Sequence, residues 1–305
     1  MKLKNISLLG LSLLIGFSSC NSIRNLTAVT ADNFPTFSAE AHRGGRGLNP
    51  ENSIIAMKAA IDMDYITTLE MDCHITKDKR VVVYHDHYLN PKFVTYSDGK
   101  EIPSEKKNIF IYNLNYSELQ KYDIGSKVYA DFPQQHKTPT KVALLSELID
   151  SAEAHAAKKG RKPMFYNIET KSKEGADGKY HPAPKEFVDL MVQVITEKGI
   201  GPRTVIQSFD KRTIQYLHKT YPQLKTSFLI DASKKTTAKE VVQELGFTPF
   251  IISPNYKLVT KAFVKDFRSY GMKVIPWTAN DAKQIKALKA LKVDGIITDY
   301  PNLLK

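Results

Sequence analysis

Short runs rich in β-branched and apolar residues recur near 39–43, 66–74, 80–85, 164–171, 203–208, 225–230, 249–252, 272–277 and 294–298. Between most of them the apolar positions take up a helical period, near 52–63, 143–158, 184–199, 210–220, 235–245, 258–270 and 281–291. Such alternation predicts a parallel sheet with helical crossovers. About eight strands across residues 38–305 favour an α/β fold of the (β/α)8, or TIM-barrel, kind over an open doubly wound sheet. Nine candidates compete for eight places. The turn Thr76-Lys77-Asp78-Lys79 is too short for a parallel crossover, which takes about a dozen residues, so an irregularity is expected within 66–87. Residues 88–140, with many Tyr, Asn, Lys and Pro, break the rhythm and are expected to form an inserted loop or small subdomain after the third strand, covering the active site.

The amino terminus follows other physics. Lys2 and Lys4 precede an apolar run, Ile6 to Phe17, that ends in Ser18, Ser19 and Cys20. The run is shorter than the roughly 20 residues that cross a bilayer, so residues 1–19 are expected to be a signal peptide, 20–37 a lipidated cysteine and tether, and 38–305 the barrel. Phe17-Ser18-Ser19-Cys20 resembles a bacterial lipobox, which implies cleavage before Cys20 and acylation of that residue. With about 0.8 kcal/mol per buried methylene and more than one chain, the anchor would hold firmly to a membrane. The expected location is the outer membrane, facing the periplasm, because Asn21 and Ser22 do not resemble an inner-membrane retention signal and no acidic run that would suggest surface export follows Cys20. The alternative is an ordinary signal peptide whose cleavage site contains a cysteine.

A hydrophobic content of 42% excludes general disorder, two cysteines exclude a disulfide scaffold, and 15 Gly with 15 Pro exclude a fibrous repeat. The formal charge of +12 is spread over helical lysines such as Lys283, Lys286, Lys289 and Lys292, without an arginine-rich tract. That is a solvated basic surface; no nucleic-acid partner and no obligatory protein partner is expected.

Candidate chemistry begins at His42-Arg43-Gly44-Gly45, where a strand ends in a cationic pair and glycines let backbone approach a ligand. Asn52 or Ser53, in Pro50-Glu51-Asn52-Ser53, suits the N-cap of the next helix. In Leu69-Glu70-Met71-Asp72-Cys73-His74-Ile75 alternate residues share a face, so Glu70, Asp72 and His74 point together and Cys73 points away. Carboxylates paired in an interior need a cation, which suggests a hard divalent metal; a solvent-facing polar sheet is the alternative. The strand Val81-Val82-Val83-Tyr84 ends in His85, and Asn167, Glu169 and Lys171 share a face in the strand 164–171. Acids, histidines and cations at successive strand ends are the way barrels build sites. Asp299 is expected to cap or brace the last turn, Gln207 and Ser208 to bond backbone or else to be polar contacts at the site, and Arg46 to be a phosphate contact or surface charge.

These motifs, with Thr76-Lys77-Asp78, Pro139-Thr140, Ser208-Phe209, Trp277-Thr278 and Asp294-Gly295-Ile296-Ile297-Thr298-Asp299-Tyr300-Pro301, occur in an order that resembles the glycerophosphodiester phosphodiesterases. The resemblance covers nearly all of residues 38–305. It implies that Glu70, Asp72 and Glu169 bind one Ca2+ or Mg2+, and that His42 and His85 serve as general acid and base. Arg43 and Lys171 would grip phosphoryl oxygens, and Trp277 would contact the glycerol backbone. The implied reaction is hydrolysis of a glycerophosphodiester to an alcohol and sn-glycerol 3-phosphate. Two alternatives stand beside it: a phospholipase-like relative passing through a cyclic phosphate, and a non-catalytic lipid-anchored binding protein.

Overall fold

A computed structural model of the protein describes residues 33–305 except 104 and 107. The signal segment, Cys20 and the tether as far as residue 32 lie outside the described residues. The strands are β1 (Ser38–Ala41), β2 (Thr68–Ile75), β3 (Val81–Val83), β4 (Thr95–Tyr96), β5 (Tyr122–Asp123), β6 (Ala143–Leu144), β7 (Phe165–Thr170), β8 (Thr204–Ser208), β9 (Lys225–Ile230), β10 (Ile251–Pro254), β11 (Lys273–Val274) and β12 (Gly295–Thr298). The helices are α1 (Ile54–Ile61), α2 (Tyr116–Leu119), α3 (Leu145–Lys158), α4 (Pro184–Glu197), α5 (Lys211–Thr220), α6 (Ala238–Leu245), α7 (Lys261–Ser269) and α8 (Ala282–Ala290). Among the described residues no helix is long and apolar enough to cross a membrane.

Eight strands run in the parallel order β11-β10-β9-β8-β7-β2-β1-β12. Backbone bonds from Asp294 N to Val274 O (2.9 Å) and from Ile297 N to Pro276 O (3.0 Å) join β12 to the β11 segment and close the ring. The alternation of side chains sorts two environments. Leu69, Met71, Cys73, Tyr166, Ile168, Ile206, Ile252 and Ile296 pack in the large core shared with the helices. Val205, Ile251, Ile275 and Ile297 form a second cluster with Phe34, whose ring meets Phe165 and Phe250 edge-on.

The ninth strand candidate is β3, which folds back antiparallel on β2, pairing His74 with Val82, and continues to β6. The insertion therefore follows the third strand, as expected, but that strand lies outside the ring, so the insertion sits between the second and third strands of the barrel. It also has a core of its own, in which Tyr84, Leu89, Phe93, Ile111, Leu119, Tyr129 and Phe132 cluster. Instead of covering the pocket it braces the pocket's flank. Arg46 lies 4.6 Å from the Phe132 ring, and Gln135 Nε2 donates to Arg46 O at 2.7 Å.

Candidate active site

The loop after β1 turns sharply, with Arg43, Gly44 and Gly45 at φ of 51°, 79° and 90°. Gly44 is obligatory for packing as well as for φ, since a Cβ there would lie 2.7 Å from Ala56 Cβ. The turn directs His42 and Arg43 into a pocket lined also by Arg46, Glu70, His85, Glu169, Lys171, Gln207 and Trp277. All the residues expected to bind substrate, proton or metal within the barrel thus meet at one end of it, except Asp72, which lies just beneath, held by Arg43 Nε at 3.1 Å.

Parallel pairing of β2 with β7 sets Asp72 beside Glu169 and Glu70 beside Asn167. One oxygen from each of Glu70, Asp72 and Glu169 falls within 4.8 Å of the others, and all three acids are buried. Their surroundings are asymmetric. Glu70 accepts Arg43 N at 2.8 Å and Gln207 Nε2 at 2.7 Å, while Asp72 accepts Asn52 Nδ2 at 2.9 Å. Burial, reinforced by Asp72, pushes Glu70 well above the usual carboxylate range. Burial also opposes ionisation of Asp72, but Arg43 and Lys171 outweigh it and hold that carboxyl well below. Burial raises Glu169 to about 7 although Lys171 Nζ lies 2.9 Å away. Asp72 Oδ1, fully buried, has no hydrogen-bond partner among the described residues. An orphaned carboxylate oxygen facing two more acids is a donor set suited to a hard dication, and the three residues fit one.

Each histidine is backed by an acid. His42 Nδ1 lies 2.5 Å from Asp299 Oδ1, and His85 Nδ1 lies 2.7 Å from Asp86 Oδ1. With Nδ1 engaged, Nε2 is the nitrogen left for proton exchange. Burial, together with Arg43 and Arg46, lowers His42 to about 4 against the pull of Asp299; burial and the neighbouring cations lower His85 as well. A neutral His42 can accept a proton through Nε2.

Several residues have roles the sequence did not disclose. Asp299, expected to brace the last turn, instead binds His42, Arg46 Nε (2.7 Å) and Asn280 Nδ2 (2.6 Å). Arg46 is neither surface charge nor free, being held by Asp299 and near Glu51. Gln207 bonds Glu70 rather than backbone. Ser53 is the N-cap, accepting Ala56 N at 3.1 Å, and Asn52 is reserved for Asp72. Trp277 lines the pocket with Nε1 donating to Ser253 O at 2.9 Å. His74 and His87, outside the expected site, line an adjoining cavity.

Comparison with known proteins agrees with this geometry. Residues 42–303 match the model of the glycerophosphoryl diester phosphodiesterase family. A glycerophosphodiester phosphodiesterase of Bacillus subtilis is 28% identical over 270 residues, covering 86% of this chain and 83% of its own length. Among solved structures, a Silicibacter pomeroyi protein superposes with a TM-score of 0.77 at 24% identity, covering 93% of this chain and 95% of its own. An Oleispira antarctica phosphodiesterase in complex with the product sn-glycerol-3-phosphate superposes with a TM-score of 0.67 at 23% identity, covering 87% and 94%. A match that runs from the turn after β1 to the last turn of the chain places this chain in the glycerophosphoryl diester phosphodiesterase family.

Proposed function

We propose that the protein hydrolyses glycerophosphodiesters to an alcohol and sn-glycerol 3-phosphate with the help of one dication, Ca2+ or Mg2+, held by Glu70, Asp72 and Glu169. The observation that carries the reading is the convergence of those three buried acids between two carboxylate-backed histidines. Glu70, Asp72, Glu169, Glu51 and Asp299 outnumber Arg43, Arg46 and Lys171, and a dication balances the excess. Bound there, the cation would supply charge neutralisation at a phosphoryl oxygen.

The side chains account for the rest of the chemistry. Arg43, fixed through Nη1 to Glu51 (3.0 Å) and Nε to Asp72, and Lys171 beside Glu169 put positive charge where phosphoryl oxygens enter. One histidine, neutral at Nε2, takes a proton from the attacking hydroxyl while the other, carrying a proton on Nε2, gives it to the departing alcohol, each transfer contributing roughly 10²–10⁴ in rate. Trp277 and Phe209, edge-on at 5.5 Å, offer apolar surface to the three-carbon skeleton. An acylated Cys20 would keep the domain at the outer membrane, in reach of soluble deacylated diesters; radiolabelled palmitate on the wild type but not on Cys20→Ala tests that part.

The assay for the activity is release of sn-glycerol 3-phosphate from glycerophosphocholine, glycerophosphoethanolamine and glycerophosphoinositol, with and without a chelator. The expected result is turnover that chelation abolishes and added dication restores. Turnover unaffected by exhaustive chelation would remove the metal from the reading, and absence of turnover on all three with metal supplied would remove the activity.

A further inference from the structure

A second cavity of about 450 Å³ opens beside the catalytic pocket and shares His85, Glu169, Lys171 and Phe209 with it. The shared residues mark the boundary where a scissile phosphate would sit. A diester held there sends one ester arm into each cavity. The catalytic pocket is the smaller, about 110 Å³, and carries Trp277, Leu229 and Ile297; the larger one is left for the more variable arm, the departing alcohol.

The wall of this second cavity is built in advance. His181, buried, accepts Lys173 N through Nε2 at 2.9 Å and bonds Pro182 O through Nδ1 at 2.8 Å, which pins both ends of the segment 173–182. Arg212 clamps Asp177 and Asp210, and Asp210 accepts Ser172 Oγ at 3.0 Å. A wall ordered before binding spares the ligand that entropic cost.

Its chemistry selects a ligand. Lys171 and Lys173 line it, and Lys179 stands beside it with Nζ 4.9 Å from the Tyr180 ring. The other neighbours of that ring are His87 at 4.2 Å and Phe110 at 4.9 Å, so the aromatic group already has a cation and two rings as company. Its carboxylates are committed: Asp86 to His85 and Asn90, and Glu169 to the metal cluster. An ammonium head group would find no free acid among the described lining residues, no vacant aromatic cage and two or three lysines repelling it. Hydroxyls or a second anion would find ammonium donors, Ser172, and His74, whose buried Nδ1 has no partner among the described residues.

We propose that this cavity is the subsite for the leaving alcohol and that it selects polyhydroxy head groups, neutral or anionic, over ammonium head groups. The inference rests on the hydrolase reading above and names its substrate class. The test compares kcat/KM for glycerophosphoglycerol, glycerophosphoinositol and glycerophosphocholine in the wild type, Lys173→Glu and Tyr180→Ala, with dication supplied. Lys173 is exposed, so its replacement leaves the core untouched. The expected result is a preference of about tenfold or more for the two polyol diesters, reduced about tenfold or reversed in Lys173→Glu, the choline diester gaining. Tyr180→Ala should narrow the preference by raising KM for the polyols with less change in kcat. Preference for the choline diester in the wild type, or a ratio unmoved in both variants, overturns the subsite while leaving the hydrolase standing. Turnover of none of the three overturns the hydrolase reading and the subsite together.

Discussion

Glu40 lies inside the barrel, 1% exposed. Its oxygens accept Ser38 Oγ and Asn167 Nδ2, both at 2.8 Å, and no cation among the described residues bonds it. Burial raises its pKa to about 7, the two hydrogen bonds opposing only in part. For an acid raised on folding, the unfolded chain releases its proton first, so stability is highest below the unfolded value and falls as pH climbs to the folded one. The window runs from about 4.5 to about 7, and at 1.36 kcal/mol per unit the loss is on the order of 3 kcal/mol above it. Glu40→Gln keeps an acceptor for Asn167, and Ser38 Oγ, which also meets Thr68 Oγ1 at 2.8 Å, can reverse its role. The variant is therefore expected to equal the wild type near pH 4.5 and to exceed it by about 2–3 kcal/mol at pH 8. Urea unfolding followed by circular dichroism at pH 4.5, 6 and 8 reads the difference, in which the titration of every other group cancels. A difference independent of pH, or a variant less stable at pH 8, would refute the account of an uncompensated buried acid.

Asp299→Asn leaves His42 without the carboxylate that fixes its tautomer, and kcat should fall about 10²–10⁴-fold while the far-ultraviolet dichroism stays unchanged. Glu169→Gln removes one charge from the acidic cluster; calorimetric titration should show dication affinity weakened at least about tenfold. Gly44→Ala meets both a positive φ and the Ala56 methyl at 2.7 Å, so a loss of about 2 kcal/mol or more is expected in thermal unfolding.

The site's inner face was legible because period-two alternation is local information. Glu70 and Asp72 share a face on β2, as do Asn167 and Glu169 on β7, whatever the rest of the chain does. Register is not local. That Asp72 pairs with Glu169 while Asn52 reaches Asp72 follows from how strands and loops dock. Asn52 was masked by a second plausible use, since the same residue suits an N-cap and Ser53 beside it takes that role. The ninth strand was ambiguous for a similar reason: Val81-Val82-Val83 has the composition of a barrel strand, and only the short turn before it betrays the hairpin.

The pairing of His42 with Asp299 goes deeper, because 257 residues separate the two and no motif spans them. Their meeting depends on the seam where the first strand of the ring finds the last, Ala41 beside Thr298. Asp299 follows that register directly, and its other partners, Arg46 and Asn280, come from the loop after β1 and the segment after β11. The proposed proton-transfer pair is thus assembled from both sides of the closure, whereas the acidic cluster is assembled on β2 and β7 within the wall. Long-range pairings of this kind carry a large loop-closure entropy. A barrel open at β12 would keep the acids together and lose the oriented histidine, so on the proposed mechanism closure of the ring is what adds proton transfer to the acidic cluster.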